Sequence, residues 1–421
     1  MEALGHDPRP TVLLHGVSVG EVAAAEPLVR RLGGPDGRGP CRVVMSVTTD
    51  TGFARATALY GEHHRVVRYP LDFSRAVARF LNRVRPDVVG LLELEVWPNF
   101  TRACADRGIP VVVLNGRLSD ESFRGYRRLR SALAPSFGRL AGVAAQTGIY
   151  ADRFEALGVP ADRIEVADSM KWEVPLPGGL GEVAERLGRA LGVDADRPTV
   201  VAVSTGPGEE ARLLEGRPAG VQLVVVPRKP ERFEEVAGLA DWVRRSRTRE
   251  GRGRPPAGPP APEGSGLELG EIPRREGQPP ELFLVDTMGE AEAATALGDV
   301  VVVGRSFNGM GGSNPIPAAL MGKPVVMGPD HQNFKEMVET LVEGGSALVA
   351  EDPWPAVRGL LDDPERRRAM AEAGPRTVAA HAGATDLNVS LVLRHLRPAD
   401  RDPPASPGGP RAPGRAGPAG G

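Results

Sequence analysis

At 421 residues, with 52 basic and 54 acidic side chains, the chain has room for two or three domains and is too balanced in charge for a broad nucleic-acid surface. Two cysteines far apart, Cys41 and Cys104, exclude a disulfide framework and suit a reducing compartment. Seven histidines without HxH or HExxH spacing give no legible zinc site, the polar start MEALGHDPRP reads as no signal peptide, and no run approaches the ~18 apolar residues of a membrane span.

The N-terminal half alternates apolar runs with helical patterns. TVLLHG reads as a strand, and EVAAAEPLVRRLGG as one helix with Val22, Leu28, Val29 and Leu32 on a shared face and Gly33 as its stop. CRVVMSVTT, DVVGLLELE, IPVVVLNGRLS and RLAGVAAQT read as further strands. Continuous Val/Leu runs between helices predict a parallel sheet covered on both faces, with ligands at the carboxyl ends of its strands. Those ends read HGVSVGE, SVTTDTG, LELEVWPN and LNGRLSDES, rich in glycine and polar residues.

The pattern restarts near residue 198 with PTVVAVSTGPGEE, VQLVVVPRKPERF, ELFLVDTMGE, GDVVVVGRSFNG and KPVVMGPDHQN. The expected organisation is α/β, with two doubly wound Rossmann-like domains, 1–175 and 176–396. A proline- and glycine-rich insertion (249–280) and a tail (397–421) lack the apolar residues to bury a core and are expected to be disordered.

Several residues at the strand ends carry chemistry. Glu21, in the first turn of a helix after a glycine-rich turn, can complement the helix dipole, yield to a phosphate or act as a base. In LELEVWPN, strand alternation places Glu93 and Glu95 on one face; they can bind hydroxyls, brace an arginine or simply open a helix at Pro98. Five arginines between 117 and 130, interleaved with Phe123, Tyr126, Leu129 and Leu133, form either a solvated helix face or a surface for anionic lipid. Arg228 follows a strand, where it can pair with a phosphate or a carboxylate, or with Glu231. In GRSFNGMGGSNP, the amides of Gly311, Gly312, Ser313 and Asn314 are candidates for holding a phosphate at the next helix.

The ordered set HGVSVGEVAAAEPL, LELEVWPN, LNGRLSDES with a following GY, PRKPERF, DTMGE and GGSNP closely resembles the 3-deoxy-D-manno-octulosonic acid (Kdo) transferases of lipopolysaccharide synthesis, over roughly residues 10–350. The resemblance implies a GT-B fold whose two domains face a cleft. It implies inverting transfer of Kdo from CMP-Kdo to a lipid A precursor, with no cofactor or metal. It also implies peripheral contact with the cytoplasmic face of the inner membrane. By resemblance, Glu21 is the base, and Ser18, Gly20, Glu95, Arg117 and Ser119 serve the acceptor. Lys171, Ser204, Arg228, Met288, Gly289, Ser306, Gly311, Gly312 and Asn314 serve the donor.

The match departs from the family pattern at stated places. Pro317 and Ala318 stand where the family's Glu-Pro follows the GGxN motif, the glutamate there serving the nucleotide ribose. Gly206 replaces a histidine, the apolar N-terminal anchor is not seen, and the 249–280 insertion is unusual. Two other functions fit the same architecture: a nucleotide-sugar isomerase, which needs a second acid–base group opposite Glu21, and a non-catalytic nucleotide-sugar-binding protein.

Overall fold

The computed structural model describes residues 7–248 and 280–396; the tail and all but the last residue of the expected insertion lie outside the described residues. Seven parallel strands form the first sheet: β1 (Thr11–Gly16), β2 (Arg42–Val47), β3 (Arg65–Arg68), β4 (Val88–Leu92), β5 (Val111–Gly116), β6 (Gly142–Ala145) and β7 (Ile164–Val166). Their spatial order is β3-β2-β1-β4-β5-β6-β7. A second parallel sheet is built from β8 (Thr199–Thr205), β9 (Gln222–Pro227), β10 (Val243–Arg244), β11 (Leu282–Leu284), β12 (Val300–Val303), β13 (Val325–Met327) and β14 (Ala347–Val349). It is ordered β10-β11-β9-β8-β12-β13-β14. The strand order reverses between β1 and β4 in one sheet and between β8 and β12 in the other. These are the places where doubly wound sheets open a crevice for ligands.

The alternation of side chains drives both sheets to bury two faces. Leu13, Val89 and Val113 pack with Phe100, Phe137 and Phe154 in the first sheet's core. In the second, Val201 and Val303 face a cluster containing Trp172 and Ile316, while their neighbours Val200 and Val302 face one containing Trp354 and Leu360.

The chain divides into a first unit ending at Ala167 and a second spanning Asp168–Thr385, and from Asp386 it returns to the first. The return is made by the helix Ala384–His395. Asn388 accepts the Asn115 N–H at 2.8 Å. Leu391 lies against Gly142, where a Cβ would come within 2.6 Å of it.

Two local readings of the sequence need correction. The helix expected over EVAAAEPLVRRLGG is two helices, Val19–Ala24 and Glu26–Gly33, and the terminating residue is Gly34 at φ 75° rather than Gly33. Pro27, which has no N–H to continue the ladder, starts the second helix in its first turn. The strands β3, β7, β10 and β14 were not recognised from sequence. They are the four edges of the two sheets.

Candidate functional site

In the first unit the switch point gathers acidic side chains. Ser18 caps the helix Val19–Ala24 and Glu21 is its third residue. The exposed Ser18 hydroxyl accepts the Glu21 N–H at 3.2 Å and donates to Glu21 Oε1 at 2.8 Å, while Val17 N–H donates to Oε2 at 2.8 Å. This is a variant of the capping box, in which the glutamate reaches back to the N–H of the residue before the cap rather than to that of the cap itself. Glu21 is therefore anchored as a cap, yet half-buried and beside two further carboxylates. Burial pushes its carboxyl above the usual range, and the charges of Glu93 and Glu95 push in the same direction against the hydrogen bonds from Val17 and Ser18. Gly16 lies directly beside this carboxylate: a Cβ there would come within 3.0 Å of Leu92 Cδ1 and 3.4 Å of the Glu21 Cβ.

Glu93 and Glu95 do not sit on a strand, so alternation does not place them. β4 ends at Leu92, and Glu93 takes the left-handed conformation at φ 60°. Glu93 N–H still donates to Leu114 O at 2.9 Å and its carbonyl accepts the Arg117 N–H at 3.1 Å, which ties the exit of β4 to that of β5. Glu95 accepts the Trp97 indole N–H at 2.9 Å, and its carboxyl is pushed up by burial and by Glu93. Ser119 caps the helix Asp120–Arg128, accepting the Ser122 N–H at 3.3 Å. Thus Ser18, Gly20, Glu21, Glu95, Arg117 and Ser119 all lie at the carboxyl ends of the neighbouring strands β1, β4 and β5. The arginine run splits at Leu129. Phe123, Tyr126 and Leu133 pack on the core, whereas Arg124, Arg127, Arg128, Arg130 and Leu129 are exposed.

One participant had no signal in the motif. His15, on β1, is fully buried, stacked on Tyr69 with centroids 3.7 Å apart. Its Nε2 lies 3.9 Å from Glu95 Oε2.

In the second unit, the donor candidates gather on adjacent strands β11, β9, β8 and β12. Lys171 lies in this unit, in a short turn whose neighbour Trp172 enters the core. The turn after β8 is closed by a carboxylate: buried Glu209 accepts N–H groups of Gly206 (2.7 Å), Arg305 (2.6 Å) and Phe307 (3.0 Å). It thereby joins the exits of β8, which carries Ser204, and β12. Next to it, Glu210 takes both ends of the Arg232 guanidinium at 2.6 and 2.9 Å. The arginine of PRKPERF engaged in that buried pair is therefore Arg232, and Arg228 stands exposed just beyond β9.

In DTMGE, both carboxylates are structural. Asp286 accepts from Arg244 Nε (2.7 Å) and from the Ser246 N–H (2.8 Å) and hydroxyl (2.6 Å). Glu290 pairs with Arg245 at 3.0 Å in a buried setting. Between them Gly289, at φ 79°, turns the chain so that Met288 is 56% exposed. Ser306 is fully buried and braces its loop, donating to Val303 O at 2.6 Å and accepting from Gly328 N–H at 2.9 Å.

The glycine loop is also more committed than its sequence indicates. Gly311 and Gly312, both at φ 80°, fold it back on the exit of β12, so Gly312 N–H donates to Arg305 O (2.7 Å) and Ser313 N–H to Gly304 O (3.1 Å). The expected four-amide phosphate cradle thus loses two of its donors. Asn314 Oδ1 accepts the Ile316 N–H at 3.0 Å, opening the helix Ile316–Leu320 that contains Pro317.

Residues 2–174 match the family model described as 3-deoxy-D-manno-octulosonic-acid transferase (kdotransferase). The chain is 34% identical over 397 residues to a 3-deoxy-D-manno-octulosonic acid transferase of Bordetella pertussis, covering 89% of this chain and 85% of that one. It is 30% identical over 404 residues to one of Haemophilus influenzae, covering 92% and 88%. Among solved structures, a glycosyltransferase from Rickettsia africae aligns with TM-score 0.55 at 12% identity over 92% of this chain and 99% of that one. A UDP-GlcNAc 2-epimerase from Neisseria meningitidis aligns with TM-score 0.54 at 13% identity over 91% and 100%. These structural likenesses show the shared two-sheet, GT-B type fold.

Proposed function

This chain belongs to the 3-deoxy-D-manno-octulosonic acid (Kdo) transferase family, and on that footing we propose that it transfers Kdo from CMP-Kdo to a lipid A precursor, with Glu21 as the base. Kdo transfer in lipopolysaccharide synthesis follows from the family; the acceptor, the donor contacts and the residue roles are the proposal. The observation that carries it is the position of Glu21. It is a half-buried carboxylate at the sheet's switch point, held by Val17 and Ser18 and crowded by Glu93 and Glu95.

A carboxylate oxygen has two lone pairs, so one hydrogen bond to each oxygen of Glu21 leaves capacity for the acceptor hydroxyl. Its raised carboxyl makes it a stronger base than an exposed glutamate. In the step, the acceptor oxygen bonds the anomeric carbon of Kdo as the bond from that carbon to the CMP phosphate breaks. The hydroxyl proton passes to Glu21, and CMP leaves with the electron pair. Displacement from the opposite side inverts the centre. Arg228 suits the leaving phosphate or the Kdo carboxylate, as a guanidinium can hold either through two hydrogen bonds. Lys171, Ser204, Met288, Gly289 and the 311–314 loop complete the donor side, with Ser306 acting through that loop. Neither the proton transfer nor the departure of CMP here calls on a metal, and excess EDTA is expected to leave turnover unchanged.

Peripheral membrane contact belongs to the same proposal. No helix among the described residues is long and apolar enough to cross a membrane. The first unit instead exposes Leu71 (73%), Phe73 (69%), Leu129 (60%) and Trp97 (43%) together with Arg124, Arg127, Arg128 and Arg130. Asp72 fixes the first two beside Trp97 by accepting the N–H groups of Asn99 (3.0 Å) and Phe100 (2.9 Å). Exposed apolar side chains and arginines on one unit suit an anionic lipid surface such as the inner membrane's cytoplasmic face.

The test is CMP release from CMP-Kdo with and without lipid A precursor. Release that requires the acceptor supports transfer; conversion of the nucleotide sugar without acceptor refutes it. Glu21→Gln is expected to abolish transfer and retain CMP binding.

A further inference from the structure

The imidazole of His15 is unlike a satisfied core histidine. Its Nδ1 lies 3.1 Å from the Ser46 carbonyl oxygen and 3.1 Å from the Ser46 hydroxyl. A carbonyl only accepts, so Nδ1 carries the proton and Nε2 is a bare lone pair. That Nε2 is fully buried, has no hydrogen-bond partner among the described residues, and faces Glu95 Oε2 across 3.9 Å. His15 is fully buried and the Glu95 side chain is 25% exposed, and two acceptors facing each other there repel unless a proton lies between them.

We propose that His15 is a positioning residue: its bare Nε2 accepts a hydrogen bond from the protonated carboxyl of Glu95, so that Glu95 stays neutral at pH 7 and Glu21 is the carboxylate that ionises beside it. Hydrogen-bond length is reached when Oε2 moves about 1 Å toward Nε2. Oε2 can still accept the Trp97 indole N–H while its own proton goes to Nε2. The alternative placement of the proton, on the imidazole, is disfavoured by burial, which lowers His15 to about 4. Burial and Glu93 raise Glu95, in the direction that keeps the proton there.

The other titratable groups near this pair are Glu21 after β1, Glu93 in the same loop, Tyr69 and Asp72 after β3, Cys104 in the helix Pro98–Asp106, and Tyr126 in the helix Asp120–Arg128. Tyr69 and Cys104 are pushed up by burial and stay neutral. The charge beside Glu21 therefore depends on whether Glu95 ionises. The consequence for catalysis rests on Glu21 being the base; the shared proton does not.

Infrared spectroscopy of the full chain tests the proton directly. The expected result is a protonated-carboxyl stretch that persists at pH 7 and disappears in Glu95→Gln. In His15→Phe, which keeps the stack on Tyr69, the band is expected to titrate away about one pH unit lower or more. In the same variant the acid limb of kcat is expected to move to higher pH, because an ionised Glu95 makes Glu21 harder to ionise. An unchanged circular dichroism spectrum and an unchanged urea midpoint for the transition that CMP does not shift report that the first unit of the variant is folded. Absence of the band at pH 7 overturns the proposal, as does a band that Glu95→Gln leaves in place. Should His15→Phe fail to fold, the wild-type and Glu95→Gln spectra still decide the matter. A persistent, His15-dependent band in a protein that transfers no Kdo would retain the shared proton and refute the transferase reading instead.

Discussion

Glu209 offers the sharpest test of how the donor half is held together. Its carboxylate is 3% exposed and takes three backbone N–H groups, from the turn after β8 and from the exit of β12. In Glu209→Ala those three donors lose their acceptor together. Hydrogen bonds to a charged group contribute roughly 1.5–3 kcal/mol each, so the gross loss is about 5–9 kcal/mol. Against this, the variant no longer buries a carboxylate, a cost large enough that burial outweighs the three hydrogen bonds and raises the carboxyl above its ordinary value. Recovery of that cost offsets the lost hydrogen bonds, but the three N–H groups are left without an acceptor at about 1–3 kcal/mol each, and partial hydration of the opened turn leaves a net loss of about 2–4 kcal/mol. Glu209→Gln keeps one oxygen, which can retain Gly206 and Arg305, but sets an amide N–H against the Phe307 N–H, and about 1–2 kcal/mol is expected. Urea unfolding with and without CMP identifies the second unit as the transition that CMP shifts, and the two variants are compared there. CMP affinity is expected to fall alongside, because Ser204 and the 304–314 loop lose their common anchor. A change under about 0.5 kcal/mol with CMP affinity intact would show that the three amides find other partners, and the bracing argument would fail.

Three further outcomes follow from the site. The base must be ionised, so kcat should rise with pH through a value above the ordinary glutamate range; removing a negative neighbour in Glu93→Gln should move that limb down by about 0.5–1 pH unit, read from the pH–rate profile. Arg228→Ala should raise KM for CMP-Kdo by about 10–100-fold in steady-state kinetics, because the guanidinium that suits the phosphate or the Kdo carboxylate is lost. Pro317→Glu restores the carboxylate that the family pattern places near the ribose, at an early helical position where proline's missing N–H carries little cost, and should tighten CMP binding by up to about tenfold in calorimetry.

The sequence by itself determined the central strands of both sheets and the chemistry at their ends. Buried parallel strands such as VVVV at 300–303 have to be apolar on both faces, and that necessity leaves an unbroken run to read. The edges left no such mark. β3, β7, β10 and β14 are two to four residues long and half-exposed, so neither length nor alternation distinguishes RVVR or IEV from a loop; only pairing with a neighbour makes them strands. The same division holds at the site. A glycine turn followed by an early helical glutamate identified Glu21, because the backbone there imposes its own local pattern. The base role came with the family resemblance; what the tertiary structure adds is that Val17, Ser18, Glu93 and Glu95 converge on Glu21 from two strands. The bare nitrogen of His15 likewise acquires meaning only where β1, the loop after β3 and the loop after β4 meet. Contacts between residues distant in sequence leave no periodicity for a single chain to show, so those contacts belong to the tertiary structure alone.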